Sequence, residues 1–106
     1  IIQLAINASN NGDTIVVYAG TYKENLAWDQ KALSLKGSVG DSVIIDGQNN
    51  APGVNIGKWD GSFWPDTNYF DNLTFINGAG ADNRGGGIYL GFGNAKVENC
   101  EFIGNL

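Results

Sequence analysis

The residues best suited to chemistry in this chain are aromatic rings and carboxylates gathered between positions 57 and 68, in the run GKWDGSFWPDTN. Aromatic faces pack against the apolar faces of sugars, and carboxylates accept hydrogen bonds from sugar hydroxyls. The segment therefore predicts a glycan-binding loop, and its expected contacts are Trp59, Asp60, Phe63, Trp64 and Asp66. The alternative is that these rings only anchor the loop, since one large ring can bury about 150 to 250 Å².

A second polar cluster lies in the Gly-rich segment 78–87, which contains Asp82, Asn83 and Arg84. A calcium or phosphate site is one interpretation of it. The segment lacks the Lys-Ser/Thr pair of a phosphate-binding loop and the regular carboxylate spacing of calcium loops. We therefore expect a corner of the chain here rather than an ion site.

Side chains for metal-dependent or nucleophilic catalysis are scarce. The chain has no His and a single Cys, Cys100. This composition excludes His-based catalysis, Cys/His zinc sites and an internal disulfide. The sequence therefore predicts no catalytic residue, no metal site and no cofactor.

The net charge, the apolar runs and the length of the chain limit its expected partners and its number of domains. Eleven acidic residues against six basic ones give a net charge of −5, and no cluster of Lys or Arg forms. Nucleic acid is therefore not an expected partner. No run of about 18 apolar residues is present, so no membrane-spanning segment is expected. A chain of 106 residues fits a single domain, 1–106.

The elements that must position these residues are short strands. Pairs of apolar residues separated by one residue recur along the chain, which is the period-2 signature of a half-buried strand. They are Ile15-x-Val17, Leu26-x-Trp28, Leu33-x-Leu35, Val43-x-Ile45, Val54-x-Ile56, Leu73-x-Phe75, Ile88-x-Leu90 and Cys100-x-Phe102.

The spacing of these pairs predicts stacked coils of nearly constant length. The separations from Ile15 to Val43 and from Leu26 to Val54 are both 28 residues. The predicted columns of aligned residues are Ile15 and Val43; Leu26, Val54 and Ile88; and Leu33, Leu73 and Cys100.

One repeat extends residue by residue, from the run FDNLTFING at position 70 to the run VENCEFIGN at position 97. It predicts that Asn72 lies over Asn99 and that Phe75 stacks inside the protein on Phe102. Parallel strands lie about 4.8 Å apart, so aligned like residues form ladders. The pattern predicts an all-β parallel solenoid of about three coils.

The two ends of the lattice differ from its middle. Ile2, Ala5 and Ile6 have helical spacing and predict a capping helix over residues 1–9. The step between the second and third columns is 7 residues in one coil and 19 in the next, which predicts an inserted loop at 57–68. The alternative fold, an α+β domain with hairpins, does not account for a repeat of strands in the same sense.

The opening run IIQLAINASNNGDTIVVYAGTYKENL, with ALSLKG and VIIDG, resembles right-handed parallel β-helix proteins of the pectate-lyase-like superfamily. The later stretch LTFINGAGADNRGGGIYLGFGNAKVENCEFIGN is similar to repeats of polymorphic outer-membrane-type surface proteins. Together these runs cover nearly the whole chain. The resemblance implies a right-handed parallel β-helix and an extracellular or cell-surface location. It transfers no catalytic residue, since the paired acids of pectinesterases and the calcium acids of the lyases have no match.

The expected function is a secreted or cell-surface structural or adhesive module that assembles end to end. The last coil is expected to present Ile88, Leu90, Cys100 and Phe102 on an open axial face. Its expected partners are copies of itself stacked head to tail, or further coils of a longer chain, with a glycan at the inserted loop. The alternative is an N-terminal fragment of a carbohydrate-active enzyme, a polysaccharide lyase or a pectinesterase-like protein.

Overall fold

The computed structural model is mostly β, with parallel strands and one short helix. It describes residues 1–57, 67–80, 85–91 and 93–106. The elements within those ranges are α1 (Ile2–Ala8), β1 (Thr14–Val17), β2 (Gly20–Tyr22), β3 (Leu26–Trp28), β4 (Ser34–Gly37), β5 (Val43–Asp46), β6 (Val54–Ile56), β7 (Asn68–Asp71), β8 (Thr74–Ile76), β9 (Ile88–Leu90), β10 (Ala95–Glu98) and β11 (Glu101–Ile103).

Successive strands enter three sheets in turn, so that each strand pairs with the strand three places along the chain. The strand orders are β1-β4-β7-β10, β2-β5-β8-β11 and β3-β6-β9. All pairings between described strands are parallel. Hairpins would pair strands antiparallel, so the α+β alternative is wrong and the predicted all-β class is confirmed. The described strands make three passes through the sheets and two strands of a fourth, which is compatible with the predicted solenoid of about three coils.

Two predicted alignments are confirmed. Leu26, Val54 and Ile88 pair in succession across the third sheet. In the second sheet Phe102 pairs with Phe75. The two rings stack with their centroids 5.1 Å apart and their planes 12° apart. Like residues on neighbouring parallel strands therefore do form ladders here.

The Asn residues of the repeat occupy equivalent corners between the first and second sheets. Asn72 follows β7 with φ of 56°, and Asn99 follows β10 with φ of 52°. Asn tolerates this left-handed conformation better than most residues because its short side chain forms local hydrogen bonds. Asn72 Nδ2 donates to the carbonyl of Ser38 at 2.9 Å, and Asn99 Nδ2 donates to Asp71 Oδ1 at 2.9 Å.

The first predicted column is wrong. Ile15 pairs with Leu35 in the first sheet, whereas Val43 pairs with Gly20 in the second sheet. The sequence pattern did not reveal β2, because only Tyr22 of its three residues has a large ring or apolar side chain. The prediction from the separation of 28 residues therefore aligned two positions that lie in different sheets.

The third predicted column is wrong in its first member. Leu33 precedes β4 in the first sheet, whereas Leu73 precedes β8 in the second. Cys100 does align with Leu73, since the N–H after it, on Glu101, donates to the Leu73 carbonyl at 3.0 Å.

The separation between aligned residues also varies along the first sheet. It is 20 residues between Thr14 and Ser34, 35 between Ser34 and Tyr69, and 27 between Asn68 and Ala95. The prediction of a constant coil length therefore holds only for some pairs of strands. The connections differ in length because they lie outside the ladders, where extra residues disturb no strand pairing.

Alternating side chains of all three sheets point inward and form one core. Its largest fully buried members include Phe70, Phe75, Leu35, Ile45 and Leu73. Phe70 links the sheets, since its ring lies 6.0 Å from that of Trp28 and 6.2 Å from that of Phe75. Burying each such side chain contributes roughly 1.5 to 3 kcal/mol.

Among the residues that the structure describes, one polar side chain, Asn68, is fully buried in this core. Its Oδ1 accepts hydrogen bonds from Trp28 Nε1 at 3.1 Å and from the Leu33 N–H at 2.9 Å. Its Nδ2 donates to the Asn94 carbonyl at 3.2 Å. Both ends of the amide are satisfied, which is the condition under which a buried polar group is tolerated.

The predicted N-terminal helix is present as α1, spanning Ile2–Ala8. Ile2 and Ile6 are buried, as expected, but Ala5 is exposed and lies outside the inward stripe. The helix ends at Ala8, one residue before the end of the predicted range 1–9, because the N–H and the hydroxyl of Ser9 both donate to the Ile6 carbonyl. These bonds satisfy a carbonyl that has no partner within the helix.

Candidate functional site

The predicted glycan contacts Trp59, Asp60, Phe63, Trp64 and Asp66 all lie outside the described residues. The same holds for Asp82, Asn83 and Arg84. The described strands on either side of the inserted loop are β6 and β7. Glycan binding by this loop remains a prediction.

The most distinctive described surface is the open edge, which we define as the inward-facing side chains Val97, Cys100 and Phe102 of the last strands and the corner between them. β10 and β11 each have a strand on one side only among the described residues. In parallel sheets the backbone groups on such a side lack ladder partners and are a template for further pairing.

Exposure rises steeply from one strand to the next at this edge. Phe75 is fully buried, and Phe102, aligned with it, is 47 % exposed. In the neighbouring sheet Phe70 is 1 % exposed, and its aligned partner Val97 is 43 % exposed. Inward-facing apolar side chains are therefore presented to solvent where the stack of strands ends.

Of the four residues predicted on an open axial face, the structure shows one, Phe102, as exposed. Ile88, Leu90 and Cys100 are each half-buried and pack against the core, and Phe102 is half-exposed. Sequence reasoning missed Val97. The signal for it was in the repeat itself, which aligns Val97 with Phe70. The prediction that Phe102 lies inside is wrong, because its ring has protein on one face only.

The segment after β11 is held in place beside Phe102. Asn105 Nδ2 donates to the Phe75 carbonyl at 2.9 Å, and the Gly78 N–H donates to Asn105 Oδ1 at 2.8 Å. Gly87 permits the close approach of the Phe102 ring, since a Cβ there would lie 2.6 Å from Phe102 Cδ2. The Phe102 ring is thus positioned by the Phe75 ring against one face and by Gly87 beside it.

Charged groups around the open edge are paired or isolated rather than clustered. Lys96 Nζ lies 2.9 Å from Glu98 Oε1, and this hydrogen bond raises the pKa of Lys96. Burial raises the pKa of the Cys100 thiol, which keeps it protonated and poorly nucleophilic near neutral pH. The edge is therefore suited to contact rather than to covalent chemistry.

The opposite end of the stack carries α1, which packs against β1 and β3. The Gln3 side-chain amide pairs with the edge of β3: its Nε2 donates to the Ala27 carbonyl at 2.8 Å, and its Oε1 accepts from the Ala27 N–H at 2.8 Å. This amide takes the place that a neighbouring strand would occupy. Glu24 holds the start of the helix, accepting from the N–H groups of Ile2 and Gln3.

An open cleft of about 490 Å³ lies beside α1, lined by Asn7, Trp28, Asp29, Lys31 and Asn55 among others. The Lys31 ammonium and the Trp28 indole N–H, two side-chain donors in its lining, bond to other groups of the protein. Lys31 Nζ donates to the carbonyls of Ile6 and Ser9, and the Trp28 indole N–H points to Asn68 in the core. The cleft therefore offers few convergent groups to a ligand.

The described residues contain no group of three or more His, Cys, Asp or Glu side chains arranged to hold a metal ion. No helix in the described ranges is long and apolar enough to cross a bilayer. Comparison with protein-family models, with curated proteins and with solved structures finds no match for this chain.

Proposed function

We propose that this chain is a secreted or cell-surface structural or adhesive module of the right-handed parallel β-helix type, and that its open edge is covered by another copy stacked end to end or by further coils of a longer chain. The observation that carries the proposal is the Phe75–Phe102 stack. Its inner ring is fully buried, while its outer ring is 47 % exposed at the end of the sheets.

The energetics favour a partner at this edge. Covering the exposed half of the Phe102 ring removes on the order of 100 Å² of apolar surface from water, which contributes about 2 kcal/mol. Val97 is also 43 % exposed and adds to the same face. Solenoids protect such ends with a terminal unit or with a neighbour.

The cellular setting follows from the same proposal. The runs that resemble secreted and surface β-helix proteins favour an extracellular or cell-surface location. The aromatic residues of the inserted loop, Trp59, Phe63 and Trp64, are the proposed glycan contacts of the module. A glycan array compared with the double variant Trp59→Ala and Trp64→Ala tests this part, and unchanged binding would remove the loop as a glycan site.

Sedimentation velocity of the whole chain over a wide concentration range tests self-assembly. We expect the mean sedimentation coefficient to rise with concentration. Phe102→Glu should shift this rise to higher concentration, because it places a charge on the contact face. Val39→Glu is the matched control, since Val39 is 98 % exposed in the connection between β4 and β5. A strictly monomeric species at every concentration would contradict end-to-end assembly.

The enzyme alternative is tested separately. Turnover of pectin and alginate by the purified chain would favour a carbohydrate-active protein over a structural module.

A further inference from the structure

The chain contains two Asn-Gly pairs, and the structure places them in different surroundings. They are Asn11-Gly12, in the turn ahead of β1, and Asn77-Gly78, at the corner after β8. Asn is one of the thermolabile residues of proteins, since the backbone nitrogen of the next residue can attack its side-chain amide. Gly at that next position hinders the attack least, because it has no Cβ. The surroundings of each pair therefore decide whether it reacts.

The reaction of such a pair needs only water as a partner. The Gly nitrogen attacks the Asn side-chain carbon Cγ, so that a new C–N bond closes a succinimide ring and the bond from Cγ to Nδ2 breaks. The proton of the Gly N–H passes through solvent to the departing nitrogen, which leaves as ammonia. Water then opens the ring at either carbonyl and leaves an aspartate or an isoaspartate. The ring-closing step is intramolecular, so its rate depends on how the two groups are held.

The backbone of Ala32 holds both reacting groups of the first pair. The Ala32 N–H donates to Asn11 Oδ1 at 2.8 Å, and the Gly12 N–H donates to the Ala32 carbonyl at 2.8 Å. The first bond polarises the oxygen on which negative charge develops when Cγ is attacked, as an oxyanion-hole donor does.

The turn that contains this first pair is open to water. Asn11 and Gly12 are both exposed, and a Cβ added to Gly12 would meet no atom within 4 Å. Exposed turns open locally at little cost in free energy. The bond from the Gly12 N–H is therefore readily released, and the freed nitrogen has room to turn toward Cγ.

The second pair is held at both ends of its peptide group. The Asn77 carbonyl accepts from the Asn49 N–H at 2.7 Å, and the Gly78 N–H donates to Asn105 Oδ1 at 2.8 Å. Gly78 is buried, and a Cβ there would lie 1.9 Å from the carbonyl oxygen of Gly86. This peptide group has no room to rotate toward the Asn77 side chain.

We propose that Asn11 is a site of spontaneous deamidation and that the fold protects Asn77 from the same reaction. The modification replaces a neutral amide with a carboxylate, so it makes the net charge of −5 more negative. It needs no enzyme, because the chain supplies the nucleophile and the oxyanion donor.

The isoaspartate product cannot keep the two bonds to Ala32. In that product, Asn11 Oδ1 and the Gly12 nitrogen belong to one peptide group. The C=O and N–H of a trans peptide group point in opposite directions, so one such group cannot bond both the N–H and the carbonyl of Ala32. The modification therefore releases the turn from the residues that lead into β4.

The first test measures the site of the reaction. The whole chain is incubated at mildly alkaline pH in water labelled with heavy oxygen, so that ring opening places the label in the new carboxyl group. Digestion in ordinary water and mass spectrometry then compare positions 11 and 77. We expect about tenfold or more label at position 11, since local opening exposes it more often. Label at position 77 equal to or above that at position 11, or label at neither position, would overturn the inference.

The matched control is the same incubation in urea. Both Asn-Gly pairs should then take up label at similar rates, because the hydrogen bonds that distinguish them are lost. A preference for position 11 that persists unchanged in urea would show that neighbouring sequence, and not the fold, selects the site.

The second test measures the consequence for the turn. Anion exchange separates the modified chains by their added charge, and amide hydrogen exchange at Ala32 should be faster in the isoaspartate form than in the native chain. The variant Asn11→Asp is the control, since it adds the same charge and keeps both the backbone path and an acceptor for the Ala32 N–H. Exchange at Ala32 that is as slow in the isoaspartate form as in Asn11→Asp would show that the turn is not released.

Discussion

The two ends of the strand stack differ in what covers their apolar side chains. At the first end, Ile2 and Ile6 of α1 lie over the core and the Gln3 amide bonds to the edge of β3. At the other end no described element covers β10 and β11, and Phe102 is half-exposed although the aligned Phe75 is fully buried. The comparison shows that burial here depends on position in the stack rather than on residue type.

The largest expected effect compares the two stacked rings. Phe75→Ala should lower the free energy of unfolding by about 3 to 5 kcal/mol, because it removes a fully buried ring and leaves a cavity. Phe102→Ala should cost roughly 1 to 2 kcal/mol, because half of that ring is already in water. Urea unfolding at a concentration where the chain is monomeric measures both. Equal losses would mean that the open edge is as well covered as the interior.

A smaller loss of stability is expected from replacing Asn68 in the core or Asn99 at the exposed corner. Asn68→Ala should cost about 2 to 4 kcal/mol, because it leaves the Trp28 indole N–H and the Leu33 N–H without a buried acceptor. Asn99→Ala should cost about 1 kcal/mol, because the Asn99–Asp71 bond is exposed and adds little, while Ala tolerates the left-handed conformation of this corner less well than Asn.

The same unfolding experiment measures the two Asn variants. If Asn68→Ala were as mild as Asn99→Ala, the hydrogen bonds of Asn68 would not contribute to stability as the structure implies.

The smallest effect is the expected pH dependence of α1, the helix that covers the first end of the strand stack. Burial of Glu24 pushes its pKa up, but hydrogen bonds from the terminal ammonium and from the N–H groups of Gln3 and Ile2 outweigh it, so the pKa of this carboxyl lies below its ordinary value. A carboxyl with a lowered folded pKa stabilises the fold above its unfolded pKa, and that contribution is lost as pH falls through the folded pKa. We therefore expect α1 to loosen below about pH 4.5.

Amide hydrogen exchange of residues 2–8 at several pH values measures this loosening. Glu24→Gln should remove the pH dependence while keeping an acceptor at the start of the helix. A helix whose protection is independent of pH in the native chain would contradict the role of Glu24.

The part of the fold that could be predicted from sequence is the part where the repeat extends over consecutive residues. Matching runs at positions 70 and 97 placed Phe75 with Phe102 and Asn72 with Asn99. Shifting this alignment by one residue would have turned inward side chains outward, so the register was strongly specified. The repeat also aligned Val97 with Phe70, two positions whose exposure differs in the structure.

The remaining pairings could not be predicted from spacing. Ile15 aligned with Leu35 rather than Val43 because β2 has only one large side chain and because the connections between strands differ in length. Asn68 gave no signal of burial, since an Asn in a strand is usually exposed and only its three partners, distant in sequence, make its burial acceptable.

The amino-acid sequence by itself determined the strand-rich class, the presence of a short helix within residues 1–9 and the register of the last repeat, because each follows from local periodicity. The tertiary structure alone decided which strands share a sheet, which polar side chain lies in the core and which apolar faces are covered. These features depend on contacts between residues 20 to 40 positions apart, such as Gln3 with Ala27 and Trp28 with Asn68. Such contacts form only when the packed chain brings those residues together.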